Sequence, residues 1–397
     1  MIIQYNNKEN KNRTKKTVRQ LYHVLVDKKK NKGIIGRKKF ERKQAVNKEV
    51  HAMIIKGGYR KYEEISFLRG FAITTVILMH LLQVFVANGN IPHWLRVASS
   101  LGGTGGHIFV FCSGFGLYLS YLKKPTGFQT FVKNRFLKIY IPYILFVLIE
   151  FFLPHTADRG VLLRQLLSHV FLYKMFFEKY TISFGLQFWF ISTVFQLYLV
   201  FLPLCLFRKR FSRKALMLLG LVFSVGWWTL MEITGLSAKR IWGSFCLQYL
   251  WEFTLGMVTA EYLFNCNEIR IPIRFLWTGA IIGLMLQVLM ATLGGLVAAF
   301  NDIPALVGYG STALLLWNYG KQIVRPIFLW IDGLSYEWFL VHTTVFARFY
   351  GNIRPLLPHE GLLALLAMGL SIIVAWIYSY FIRLVMQIAA KGGRIRT

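Results

Sequence analysis

Two ionisable side chains stand in one apolar run: Arg69 opens "FLRGFAITTVILMHLLQVF", residues 67–85, and His80 sits deep within it. A run of roughly 20 apolar residues can cross a bilayer. An imidazole there is expensive, so its default reading is a functional group facing the bundle interior or a water-filled cavity. Eleven steps separate the pair; at about 100° and 1.5 Å per residue they share one helix face with about 16 Å of rise between them. An imidazole with an ordinary pKa near 6.5 can take the proton of an attacking hydroxyl. A guanidinium at the membrane rim binds phosphates through its fork of donors.

A rim cation and a deeper base suit a long ligand with an anionic head and a reactive tail, which is the shape of a coenzyme A thioester. Arg135 and Lys138, in "FVKNRFLKIY", fall on the same membrane side as Arg69 and join it as expected partners of the phosphates. Glu252 in "YLWEF" and Glu337 in "SYEWF" are carboxylates inside apolar runs. Such groups pair with a buried cation, orient His80 or hydrogen-bond another helix, and Glu252 is taken as a catalytic candidate and Glu337 as a substrate contact. His342 is expected either to pack between helices or to line the acceptor cavity. A tetrahedral oxyanion needs donors, for which Ser113, Trp189 and the backbone near Gly114 are candidates. His93, His107, His155, His169 and His359 fall at or beyond the outer interface, where solvation is the simpler expectation. The glycines of "LGGTGG" read as a flexible outer loop and those of "SGFG" as a close helix contact. Cys112, Cys205, Cys246 and Cys266 have no metal-ligand spacing and read as small packing residues. No metal is expected.

The elements that must hold these groups follow from composition. Of 397 residues 55% are hydrophobic and 17 are acidic, a balance foreign to soluble domains. The expectation is an all-α, polytopic membrane bundle of about ten transmembrane helices: 66–88, 105–122, 136–153, 186–207, 214–234, 243–264, 275–297, 303–320, 327–350 and 361–387. Nineteen of the 47 Lys and Arg precede residue 65. The others concentrate in alternate loops, which places both termini in the cytoplasm and argues against a nucleic-acid partner. Outer segments 154–185 and "GLSAKR" fit that alternation least. Segment 161–178 reads as a helix lying on the outer interface. Three regions result: a basic cytoplasmic extension, 1–64, drawn to anionic lipid; a membrane domain, 65–390; and a basic tail, 391–397. Met53 could open a shorter protein with the membrane domain intact.

"EISFLRGFAITTVILMH" resembles the first-span motif of the acyltransferase 3 family of integral membrane acyltransferases, a basic residue and a histidine with ten residues between them; Arg69 and His80 fill those places. "GHIFVFCSGFGLYLSY" is similar to the family's second-span segment, with Ser113 and Gly114 matching. "FVKNRFLKIYIPY" resembles its basic third-span motif, although Lys138 stands where a second arginine is usual. "QFWFISTVFQLYLVFLPL", "YLWEFTLGMVTAEYL" and "LSYEWFLVHTTVF" resemble later segments in the expected order, so the resemblance covers about residues 62–385. It implies transfer of an acyl group, often acetyl, from cytoplasmic acyl-CoA to a hydroxyl of an envelope glycan or lipid-linked sugar in a bacterial cytoplasmic membrane. A transporter or flippase of such an intermediate is the competing expectation, with a fold that has lost its chemistry as a third. Broken, repeated halves would mark a transporter, and no convincing internal repeat is visible.

Overall fold

The computed structural model describes residues 62–88, 101–155, 157–265, 269–357 and 359–394; residues 1–61 of the basic extension, residues 89–100 with His93, and Cys266 lie outside the described residues. Among the described residues there is no strand. Helix α1 spans Glu63–Asn88 and α2 Gly105–Lys123; α3, Phe128–Arg135, runs through a wide turn at Phe136–Tyr140 into α4, Ile141–Phe152. Helix α5 is Arg159–Val170, α6 Trp189–Arg210, α7 Arg213–Ile233, the short α8 Arg240–Gly243 and α9 Leu250–Phe264. Then come α10, Ile273–Leu293; α11, Gly295–Ala299; α12, Asp302–Tyr319; α13, Val324–Asp332; α14, Ser335–Ile353; and α15, Glu360–Arg394.

Six helices among these are long and apolar enough to cross a membrane: Glu63–Phe85, Gly102–Lys123, Leu186–Arg210, Arg213–Ile233, Ile273–Leu293 and Glu360–Ala389. The other four expected spans are helical but short or interrupted, for local reasons. Pro142 has no N–H to offer the carbonyl of Lys138 and its ring crowds that carbonyl, which explains why the third span passes through a wide turn just before it. The ninth breaks at Gly333 and Leu334, between α13 and α14. The sixth keeps only 15 helical residues, since 246–249 form a tighter turn ahead of it. The eighth is reduced to the 18 residues of α12.

Helices pack where glycine removes the side chain. A Cβ on Gly114 of α2 would lie 2.1 Å from the Phe253 carbonyl oxygen of α9, and one on Gly256 of α9 would lie 2.1 Å from that of Phe111. These two backbones touch, as small residues allow in lipid, where apolar burial drives little association. Gly70 meets the Phe328 backbone of α13 in the same way. The glycines of "LGGTGG" are not all a free loop: Gly102, before α2, and Gly105, its first residue, abut the Thr75 and Ala72 carbonyls of α1, a close contact contrary to the sequence expectation. An aromatic core, with Tyr143, Phe146, Phe188 and Tyr378 among its buried members, ties α4 and α6 to α14 and α15.

The expected amphipathic segment forms α5 and the turns after it. His169 is fully buried rather than solvated: the Tyr143 hydroxyl and His169 Nδ1 are 2.7 Å apart, and Nε2 lies 3.1 Å from the Ser183 carbonyl. Beside it the buried Lys174 ammonium donates to the carbonyls of Tyr180, Thr181, Ser183 and Gly185 at 2.7–3.2 Å. Two buried polar side chains thus hold the outer segment in one shape, because each satisfies backbone groups that no helix pairs. The helix ends at Val170, short of the expected 178, and Phe171, Phe176, Phe177 and Ile182, all in the turns beyond it, are each more than half exposed. Cys112, Cys205 and Cys246 are buried free thiols.

Candidate active site

One cavity of about 780 Å³ opens between α1, α2, α6, α12 and α14. Its α1 wall includes Arg69, Val76, His80 and Gln83, steps of seven, four and three residues that trace one helical stripe. The guanidinium and the imidazole therefore share a face and a cavity, as their spacing requires. Ser113 and Gly116 of α2, Arg135 at the end of α3 and Trp189 at the start of α6 join them. Five expected site residues lie off the wall, Glu252 among them. Lys138 is exposed on the wide turn, so the expected phosphate partners reduce to Arg69 and Arg135 at the cavity itself. Gly114 is turned against α9. Glu337 sits within electrostatic reach of Arg383 of α15. His342 is buried behind His80, their ring centroids 5.1 Å apart in a T-shape.

The environment of each charged group sets what it can do. Arg69 holds Asp332 by one hydrogen bond, Nη2 to Oδ2 at 2.9 Å, and an ion-pair contact, Nε to Oδ1 at 2.8 Å, so its guanidinium is fixed where α1 meets α13. Arg135 faces the Tyr198 hydroxyl, which also meets Ser113, while its Nε is buried with no hydrogen-bond partner. His80 makes no hydrogen bond among the described residues, so both ring nitrogens remain for a ligand. His342 Nδ1 meets the Trp338 carbonyl at 3.0 Å; a carbonyl only accepts, so the proton sits on Nδ1 and the neutral ring keeps its lone pair on Nε2, which has no partner.

Glu252 does not orient His80. Its carboxylate, fully buried on α9, bonds His107 Nδ1 at 2.6 Å, and His107 Nε2 lies 3.6 Å from Asp302 of α12. His107 is thus part of the cavity wall, not a solvated interface group as expected. His107, Glu252 and Asp302 offer ligand atoms within 4.8 Å of one another. The carboxylates address opposite nitrogens, however, so a cation on either nitrogen would leave one of them on the wrong edge of the ring. His107 thus stands between two carboxylates, bonded to one and in ion-pair range of the other.

Sequence reasoning missed His107, Asp302, Tyr198, Tyr249 and Arg240 of this wall. For His107 the only signal was an ionisable residue next to an apolar run: six and nine residues place it about 120° and 180° around α2 from Ser113 and Gly116, so periodicity does not put it on their stripe. Arg240 had one too, as a basic residue in a segment expected outside.

With this geometry in place the comparison with known proteins is decisive for the family. Residues 62–380 match the acyltransferase domain family that bears the number 3, about four-fifths of the chain. The chain belongs to the acyltransferase 3 family. No curated protein and no solved structure matches it. Membership and the long apolar helices together describe an integral membrane acyltransferase.

Proposed function

We propose that this acyltransferase 3 member moves an acyl group, acetyl foremost, from acyl-CoA to a hydroxyl of an envelope glycan or lipid-linked sugar. The observation that carries the reading is one cavity lined by the rim cations Arg69 and Arg135 and, about 16 Å of helix rise from Arg69, by His80 with both nitrogens free. CoA phosphates bind the guanidiniums, Lys138 adds surface attraction nearby, and the extended arm brings the thioester to His80. The hydroxyl oxygen attacks the thioester carbon while His80 takes its proton; the tetrahedral intermediate then expels the thiolate, which receives that proton. Donor and acceptor bind without metal in this scheme. Glu252 contributes through His107, and Trp189 offers the acceptor an aromatic wall. His342 supports His80 from behind, and Glu337 acts at a distance from the chemistry.

In topology we place both termini in the cytoplasm of a bacterial cell, count the interrupted helices as further spans towards ten, and assign the basic extension to anionic lipid. The deciding experiment is thiol release from acetyl-CoA by the purified protein in detergent. Release that depends on protein, with no vesicle and no gradient, is the expected result. Substrate movement across reconstituted vesicles without thiol release would make the protein a transporter instead.

A further inference from the structure

Arg240 stands in the "GLSAKR" segment, the outer stretch least in keeping with loop charge, and its guanidinium lines the cavity 3.9 Å above the Trp189 ring. Its charge reaches both His80 and His107. Of the other two arginines on the cavity wall, Arg69 is committed to Asp332 and Arg135 faces the Tyr198 hydroxyl. Among the described residues no hydrogen bond or ion pair meets the Arg240 guanidinium.

The segment carrying it is strapped in place. Ser244 Oγ donates to the Arg240 carbonyl at 2.7 Å, Thr193 Oγ1 of α6 donates to the Ser244 carbonyl at 2.6 Å, and the Tyr249 hydroxyl donates to the Gly243 carbonyl at 2.9 Å. Lys239 pairs with Glu178 at 3.2 Å. Trp227 Nε1 donates to the Trp242 carbonyl from α7. So many bonds on so short a stretch fix where Arg240 starts, and the Trp189 ring fixes where its guanidinium ends. An unpaired cation held in the same cavity as a free base is the arrangement that stabilises developing negative charge without reorganisation.

We propose that Arg240 is the donor to the oxyanion of acyl transfer, an inference that rests on the acyl-transfer reading above. As the hydroxyl oxygen bonds to the thioester carbon, the C=O π pair moves onto oxygen and the proton passes to His80; guanidinium N–H groups donate to that oxygen. When the pair returns and the C–S bond breaks, the thiolate leaves with the proton from His80. Ser113 and Trp189, the donors expected from sequence, are left to shape the cavity.

The test uses the full-length protein in detergent, saturating acetyl-CoA, and water or methyl β-glucoside as acceptor, with thiol release as readout. Removing one oxyanion donor costs about 10²- to 10³-fold in kcat. Arg240→Gln should fall by that much with KM for both substrates within about twofold, Arg240→Lys should recover part of the loss, and added guanidinium should rescue Arg240→Ala. A kcat for Arg240→Gln within about threefold of wild type overturns the assignment. So does a loss carried by KM, which would mark an anchor for an anionic acceptor, or a loss that neither lysine nor guanidinium relieves, which would mark a structural strap. A wild type that releases no thiol brings down the acyl-transfer reading itself, and this inference with it.

Discussion

At the scale of single residues the account turns on how differently the cavity treats its charges. Arg69 is fixed by Asp332 yet half exposed, so a phosphate can share the guanidinium without displacing the carboxylate. Charge-assisted bonds of this kind are worth about 2 kcal/mol each, and 1.4 kcal/mol is tenfold in affinity. Arg69→Gln is therefore expected to raise the acyl-CoA KM by roughly 30-fold with little change in kcat. Because that change strands the largely buried Asp332, the double variant Arg69→Gln/Asp332→Asn separates the two effects. Stability returns in the double variant while the donor KM stays high; a KM that also returns to normal would assign Arg69 to structure alone.

Elements explain why those residues meet, and here the sequence was legible in some places and mute in others. The stripe through Arg69 and His80 could be read directly, since helix periodicity alone decides which side chains share a face. The contact of α2 with α9 could be anticipated from "SGFG", but which glycine makes it required coordinates. Gly114→Ala is expected to destabilise the fold by about 1–3 kcal/mol, because a backbone carbonyl cannot move aside. Gly116→Ala, with nothing within 4 Å of its Cβ, should leave the melting temperature unchanged; equal melting shifts in the two would contradict the packing.

The outer segment was legible as an amphipathic helix but not as a cap locked by His169 and Lys174, because a buried histidine and a solvated one look alike in sequence. Burial first, then the Lys174 charge, hold His169 well below its ordinary 6.5. The unfolded segment thus takes up a proton that the folded one refuses. By linkage, its stability is full above about pH 6.5 and falls as the pH drops below that value. Amide protection over residues 159–185, corrected for the slower intrinsic exchange at low pH, should fall from pH 7.5 to pH 5. His169→Gln should flatten that dependence, and an unchanged slope in the variant would acquit the histidine.

For the whole molecule, hydropathy identified every long helix. It did not foresee that four of the ten expected crossings are short or broken, since a single residue such as Pro142 acts through backbone geometry that an average over 20 residues conceals. The proposed topology has a direct check in a background lacking native cysteines. A cysteine at the exposed Ile182 should react with an impermeant thiol reagent on intact cells, and one at Lys214 only after permeabilisation. The opposite pattern would invert the molecule and remove Arg69 from the donor's side.

The His107–Glu252–Asp302 bridge, the Arg240 strap and the α1 stripe converge on one cavity from helices remote in sequence. No local pattern announces such convergence. What it serves is measured most directly with isotopically labelled acetyl-CoA, purified protein and extracted envelope glycans, counting labelled ester in the product. Wild type is predicted to form ester, and a folded His80→Ala variant to lose it by about 10²- to 10⁴-fold, the usual contribution of a general base. Equal ester from both proteins would contradict the central role given to this imidazole.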